Sequence, residues 1–254
     1  MIRRRAIIQG MVGLPLAAVL ADPLKARAVA ETTARVTIRT KSGREVTGAL
    51  AKPDKTPAPV VLLVHEFWGL NDQIKATAAE FANLGYLALA VDLFGGQVAA
   101  APDVARGLIQ AVVPDQARET MASWVHWAYG DPHGSHRVGI VGWCFGGGWA
   151  LNGSVAAPVD ATVVYYGKCD LPADQLAHLK GPVLGHFGTL DPNMNKAMVG
   201  RFEAAMQQAH KPCTVYWYEA NHAFANPTGA NYDKPDAQLA WQRTTDFFAA
   251  HLKS

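Results

Sequence analysis

Cysteine is scarce in this chain: Cys144, Cys169 and Cys213 are the three in 254 residues. The count is odd and no C-x-x-C pair occurs, which excludes a disulfide framework and a zinc knuckle and leaves at least one thiol free. We read Cys169 and Cys213 as buried, inert thiols, with pairing in an oxidising compartment as the alternative. An excess of one charge is lacking too. The formal net charge is +2 and no Lys/Arg run lies beyond the first five residues, so nothing resembles a nucleic-acid surface. Repeats, low-complexity tracts and linkers are also absent. The apolar stretch from Gly10 to Ala21 is too short to span a bilayer, and no span is expected after it.

That stretch follows Arg3, Arg4 and Arg5 and precedes Ala28-Val29-Ala30, an A-x-A cleavage pattern. The arginines before Ile7 and Ile8 resemble a twin-arginine signal. We therefore expect residues 1–30 to be a removed export leader and the protein to be periplasmic or secreted, or cytoplasmic should the leader not function. Residues 31–254, in a chain half of whose residues are hydrophobic, suffice for a single α/β domain. We expect a monomer.

Two alternating stretches, Arg35 to Ile38 and Glu45 to Ala51, flank Lys41-Ser42-Gly43-Arg44 and predict an antiparallel hairpin at a sheet edge. Continuous apolar runs follow at Val60–Val64, Tyr86–Val91, Val138–Val141, Ala161–Tyr166, Val183–Phe187 and Thr214–Tyr218, as expected of strands buried on both faces. Helix-period segments lie between and after them: Gln73–Leu84, Asp103–Val113, Asp115–Tyr129, Phe145–Ala156, Asn195–Ala209 and Pro235–Leu252. This alternation predicts a mostly parallel sheet with helices on both faces. Ligands in such folds sit outside the carboxyl ends of the strands.

The chemistry is concentrated in those strand-end loops. Gly142-Trp143-Cys144-Phe145-Gly146 has the G-x-nucleophile-x-G form of a strand–turn–helix elbow, with cysteine where serine is usual. The sulfur at a helix start is favoured as an anion by the helix dipole, and the Phe145 N–H can face a developing oxyanion. The dipole alone is worth only roughly 0.3 to 2 kcal/mol, so an activating base is required. An acid and then a histidine should follow in the chain. Asp191 in "GHFGTLDPN" and His222 in "YEANHAFAN" answer, each after a predicted strand. Of the other histidines, His126, His178, His210 and His251 fall in helices or at their edges, and His186 lies inside a strand as a core residue. His133 and His136 lack a third metal ligand nearby. No metal and no organic cofactor is called for.

The stretch "VVLLVHEFWGLND" runs a hydrophobic strand straight into Glu66, a carboxylate expensive to desolvate without a partner. Its charge, if aimed at Cys144, favours the neutral thiol and so resists oxidation. The same loop can supply a second oxyanion N–H from Phe67. Trp68, Trp143 and Trp149 suggest apolar walls.

Together "HEFWGLND", "GWCFGG", "GHFGTLDPN", "ANHAFAN" and the "YYG" ending at Gly167 resemble the dienelactone hydrolases, or carboxymethylenebutenolidases, across nearly all of the chain after Val60. The resemblance implies an α/β-hydrolase fold, a triad of Cys144, Asp191 and His222, and a regulating Glu66. It also implies the reaction. Glu66 takes the Cys144 proton as substrate enters, the thiolate attacks the lactone carbonyl, and His222 activates the water that releases the ring-opened acid. Members carry an arginine four residues after the histidine to hold a substrate carboxylate; here that place is Asn226, a neutral amide that cannot replace a bidentate cation. A second family arginine corresponds to Arg106. We thus expect a hydrolase of small lactones or esters with Arg106, Asn226, Trp68 and Trp143 contacting substrate, the alternatives being a broad carboxylesterase or thioesterase, or a binding protein with a retained pocket.

Overall fold

The computed structural model describes residues 15–253. Eight strands form one sheet: β1 (Ala34–Arg39), β2 (Glu45–Ala51), β3 (Ala58–Val64), β4 (Leu87–Val91), β5 (Gly134–Trp143), β6 (Ala161–Tyr165), β7 (Val183–Gly188) and β8 (Cys213–Tyr218). Their spatial order is β1-β2-β4-β3-β5-β6-β7-β8. The predicted hairpin stands at the edge, with β1 antiparallel to β2 and β2 antiparallel to β4, and every later pair is parallel.

The apolar runs are continuous because helices cover both faces, and the two-residue period of a strand sorts them. In β3, Val61 and Leu63 pack with Ile74, Phe81, Phe248 and Leu252 on one side, whereas Val60, Leu62 and Val64 pack with Met121, Trp124 and Val125 on the other. The first side is covered by the helices Asp72–Asn83 and Lys234–Leu252, the second by Pro114–Gly130 and Phe145–Ala156. Asn71, Asn195 and Asp233 cap three of the helices with side-chain oxygens on backbone N–H groups. A short helix, Ala173–Leu176, was not expected from the pattern; four residues are too few to show a period. The leader arginines Arg3, Arg4 and Arg5 lie outside the described residues. Within residues 15–30 the chain forms the helices Leu16–Leu20 and Pro23–Ala30, which rest on Asp72–Asn83 with Val19, Leu20, Ala26 and Ala30 buried.

The chain leaves β3 toward β4 on one side and returns across to β5 on the other, so the connections diverge at the carboxyl ends of β3 and β5, the usual ligand crevice of an open α/β sheet. His65-Glu66 and Trp143-Cys144 stand there.

His186 is a core residue, as its position in a strand predicts. Arg243 donates to the Tyr218 hydroxyl, which therefore donates in turn to His186 Nδ1 at 2.8 Å, leaving Nε2–H for Thr244 at 3.1 Å. Burial, and then the Arg243 charge, press the imidazole down to about 3. The unfolded chain thus binds this proton near pH 6.5 and the folded one does not, so stability is intact above that pH and is lost as pH falls toward 3. Between pH 7 and 5 this one group should cost about 2 kcal/mol. Urea unfolding of wild type and His186→Gln at both pH values checks it: the variant should show the smaller acid loss, and equal losses would remove His186 as the cause.

Candidate active site

The elbow is built by the absence of side chains. A Cβ on Gly146 would lie 2.2 Å from the Val64 carbonyl oxygen and 2.4 Å from that of His65, and one on Gly142 would lie 2.0 Å from the Gly146 oxygen. Glycine here lets the start of the helix Phe145–Ala156 sit directly on the end of β3. Gly146→Ala should therefore give insoluble or unfolded protein, and a cooperative melt within a few degrees of wild type would contradict this packing. Between these glycines Cys144 adopts φ 54°, ψ −117°, a strained conformation for a non-glycine residue. Its sulfur makes no capping bond to the helix. It stands instead 3.1 Å from His222 Nε2, while His222 Nδ1 lies 2.6 Å from Asp191 Oδ2. The three residues come from the ends of β5, β7 and β8.

Each partner is fixed from behind. Asp191 Oδ1 accepts the backbone N–H groups of Asn193 and Met194 at 2.8 and 3.0 Å, leaving Oδ2 for His222. Burial opposes the Asp191 charge, but these bonds and His222 outweigh it and hold the carboxyl below its ordinary range. For His222, burial again works against charge, yet the hydrogen bonds and charges of Asp191 and Cys144 carry the imidazole up to about 10. An imidazolium beside the sulfur is thereby favoured, an arrangement suited to generating a thiolate nucleophile.

Glu66 is buried at the end of β3 and does not bond to the sulfur. Its Oε1 accepts from the Tyr166 hydroxyl at 3.3 Å and its Oε2 from Asn226 Nδ2 at 2.5 Å. Asn226 is oriented by Thr228, whose N–H and hydroxyl both donate to Asn226 Oδ1, so only the NH₂ end can face Glu66. Burial dominates and raises the Glu66 carboxyl above its usual range against these bonds and the His222 charge. His65 braces the same loop. Its Nδ1–H donates to the Glu66 carbonyl oxygen at 2.6 Å and its Nε2 accepts from Leu93 N–H at 3.2 Å.

The residues expected at substrate are dispersed. Phe67 and Trp68 are half-buried in the loop after Glu66, their rings 4.2 Å apart, and Phe145 opens the helix, where its N–H has no intrahelical acceptor. Asn226, by contrast, is held by Glu66 and Thr228, so its amide is not free to receive a substrate. Trp143 is a core residue stacked on Tyr165 at 5.5 Å. Arg106 is exposed on the helix Pro102–Ala111, of which Ala105 is the buried residue. Sequence reasoning missed Tyr166 and Asn226 as partners of Glu66; the polar "YYG" after an apolar strand was the available signal for the first. Among the described residues no three metal-ligating side chains cluster. His133 and His136 bond to Asp131 and to the Tyr129 carbonyl. Cys169 and Cys213 are free, and burial pushes both thiols up, Cys213 to about 12.

This fold, with its glycine-flanked elbow, is that of an α/β-hydrolase. A family model described as the dienelactone hydrolase family matches residues 46–252, and the chain belongs to that family. It is 29% identical to the carboxymethylenebutenolidase of Pseudomonas putida over 85% of this chain and 96% of that one. A Methylorubrum extorquens protein assigned the same activity is 33% identical over 76% of this chain and 72% of its own length. Among solved structures, a Klebsiella pneumoniae protein assigned as a dienelactone hydrolase superposes with a TM-score of 0.75 at 27% identity, covering 85% of this chain and 99% of that one. The chain is thus a hydrolase of lactones or esters acting on small molecules. No helix among the described residues is long and apolar enough to cross a membrane.

Proposed function

We propose that this chain opens small, uncharged lactones or esters through a thioester on Cys144. The alignment of Asp191, His222 and Cys144 carries the reading. The thiolate attacks the carbonyl carbon, the oxyanion is held by the N–H groups of Phe145 and Phe67, and His222 gives its proton to the leaving oxygen as the C–O bond breaks. Acylation removes the negative charge from sulfur and with it one support of the His222 imidazolium, so the imidazole becomes a base and takes a proton from the incoming water. Water then cleaves the thioester, and the proton returns to the sulfur–imidazole pair. Glu66, poised on Asn226 and Tyr166, serves as the second carboxylate that tunes the sulfur.

The preference for uncharged substrates rests on Asn226. It replaces the cation that would hold a substrate carboxylate, and its amide is already bonded to Glu66. Export through the N-terminal leader completes the proposal and fits a single-domain enzyme working on small molecules outside the cytoplasm. Incubation with p-nitrophenyl acetate and with a dienelactone tests the chemistry: turnover of the neutral ester exceeding that of the carboxylated lactone, with an acyl adduct mapped to Cys144, is expected. Faster turnover of the dienelactone would overturn the substrate preference, and absence of any adduct would overturn the thioester.

A further inference from the structure

The hydrogen bonds on Glu66 do not stop at Asn226. Asn226 donates from Nδ2 to Glu66 Oε2, and its other end, Oδ1, accepts the Thr228 N–H at 3.0 Å and the Thr228 hydroxyl at 2.9 Å. From there the series runs to another element. Gln73, the second residue of the helix Asp72–Asn83, donates from Nε2 to the Thr228 hydroxyl oxygen at 2.8 Å across 155 residues of chain.

The direction of each bond is fixed. A backbone N–H can only donate, so the Thr228 N–H forces Asn226 to turn its oxygen there and its NH₂ to Glu66. The Thr228 hydroxyl has one proton, committed to Asn226 Oδ1, and therefore accepts from Gln73. Gln73, Thr228 and Asn226 thus donate in series toward one buried carboxylate, and hydrogen bonds so aligned polarise one another. The second N–H of the Gln73 amide faces the Leu20 carbonyl at 3.5 Å, the outer limit of such a bond, so the link to Thr228 stands without the segment before residue 31.

We propose that Gln73 and Thr228 are positioning residues for the proposed reaction: they hold the Asn226 amide on Glu66 and keep that carboxylate turned onto the amide instead of toward the sulfur. The proposal rests on the reading of Glu66 as the carboxylate that tunes Cys144. Neither residue touches the reacting atoms, since Gln73 is half-buried and Thr228 exposed. Around the Glu66 carboxyl, Tyr166 donates to Oε1 and His222 contributes its charge, with Cys144 beyond His222 and His65 bonded to the Glu66 carbonyl. Burial opposes ionisation of Glu66 and the Asn226 bond favours it, so a weaker series moves that ionisation to higher pH.

The rate at which iodoacetamide alkylates Cys144 in the full chain, followed against pH with the adduct mapped, reads Glu66 without requiring ester turnover. Wild type should show a step from Glu66 that Glu66→Gln abolishes. Thr228→Val keeps the N–H and removes the hydroxyl. Gln73→Glu makes the outer partner an acceptor that draws the hydroxyl proton away from Asn226, and an acid in the first turn of a helix is favourable to the fold. Each change should move the step up by about half a pH unit, Thr228→Ser should restore it, and neither should alter the profile further in a Glu66→Gln background. A profile unchanged by Glu66→Gln would overturn the reading of Glu66 and the relay with it. A step that Glu66→Gln removes but that Thr228→Val and Gln73→Glu leave in place would overturn the relay alone.

Discussion

Cys144→Ser should lower the rate of ester hydrolysis by about 10³-fold or more, equivalent to roughly 4 kcal/mol of transition-state stabilisation. Serine fits the elbow: it is smaller than cysteine, and the sulfur makes no structural bond to the helix, so the backbone strain and fold are retained. What changes is acidity. A model thiol titrates near about 8.5, and an alcohol is a far weaker acid. The His222 imidazolium is stabilised partly by the sulfur beside it, and an alcohol that remains protonated supplies no such charge. Glu66 is bonded to Tyr166 and Asn226 and does not reach over as a second base for the alcohol. The expected result is a folded variant with an unchanged melt and almost no turnover of p-nitrophenyl acetate. Rates within tenfold of wild type would mean that the site works as an ordinary hydroxyl triad and that sulfur is incidental.

The order Cys144, Asp191, His222 was legible because each residue lies in the turn or loop that follows an apolar strand, and a buried parallel sheet places the carboxyl ends of its strands on one edge. Side-chain direction was not legible. Trp143 precedes Cys144 in the chain, yet neighbouring residues of a strand point to opposite sides, so Trp143 enters the core against Tyr165. Arg106 shows the same limit on a helix, where one residue decides between exposure and burial: Ala105 faces inward and Arg106 outward. For Glu66 the sequence signalled that a partner was required but not which. Tyr166 is 100 residues away and Asn226 is 160, and pairings at that separation are created by the sheet order, not by any local pattern. The glycines were readable as a tight turn. That Gly146 faces the carbonyls of Val64 and His65 could be known only from the packing of helix on strand.

His222→Ala should be as damaging as loss of the sulfur for complete turnover, about 10²- to 10⁴-fold, but should fail at a different step. An activated ester can still acylate the thiol slowly, whereas the thioester then lacks a base for water. The acyl adduct on Cys144 should therefore accumulate, visible by intact-mass measurement, with a burst and then a stall. Asp191→Asn is the sharper variant. Asp191 Oδ1 is held by the Asn193 and Met194 N–H groups, so an asparagine must keep its oxygen there and turn its NH₂ toward His222. A donor now faces Nδ1, which must become the acceptor, and the proton is displaced to Nε2, 3.1 Å from the sulfur. The imidazole is then held as the wrong tautomer: it can donate but not accept. Loss of activity in Asp191→Asn comparable to His222→Ala, with the fold intact, is the signature of this tautomer control. A loss below about tenfold would show that Asp191 does not set it.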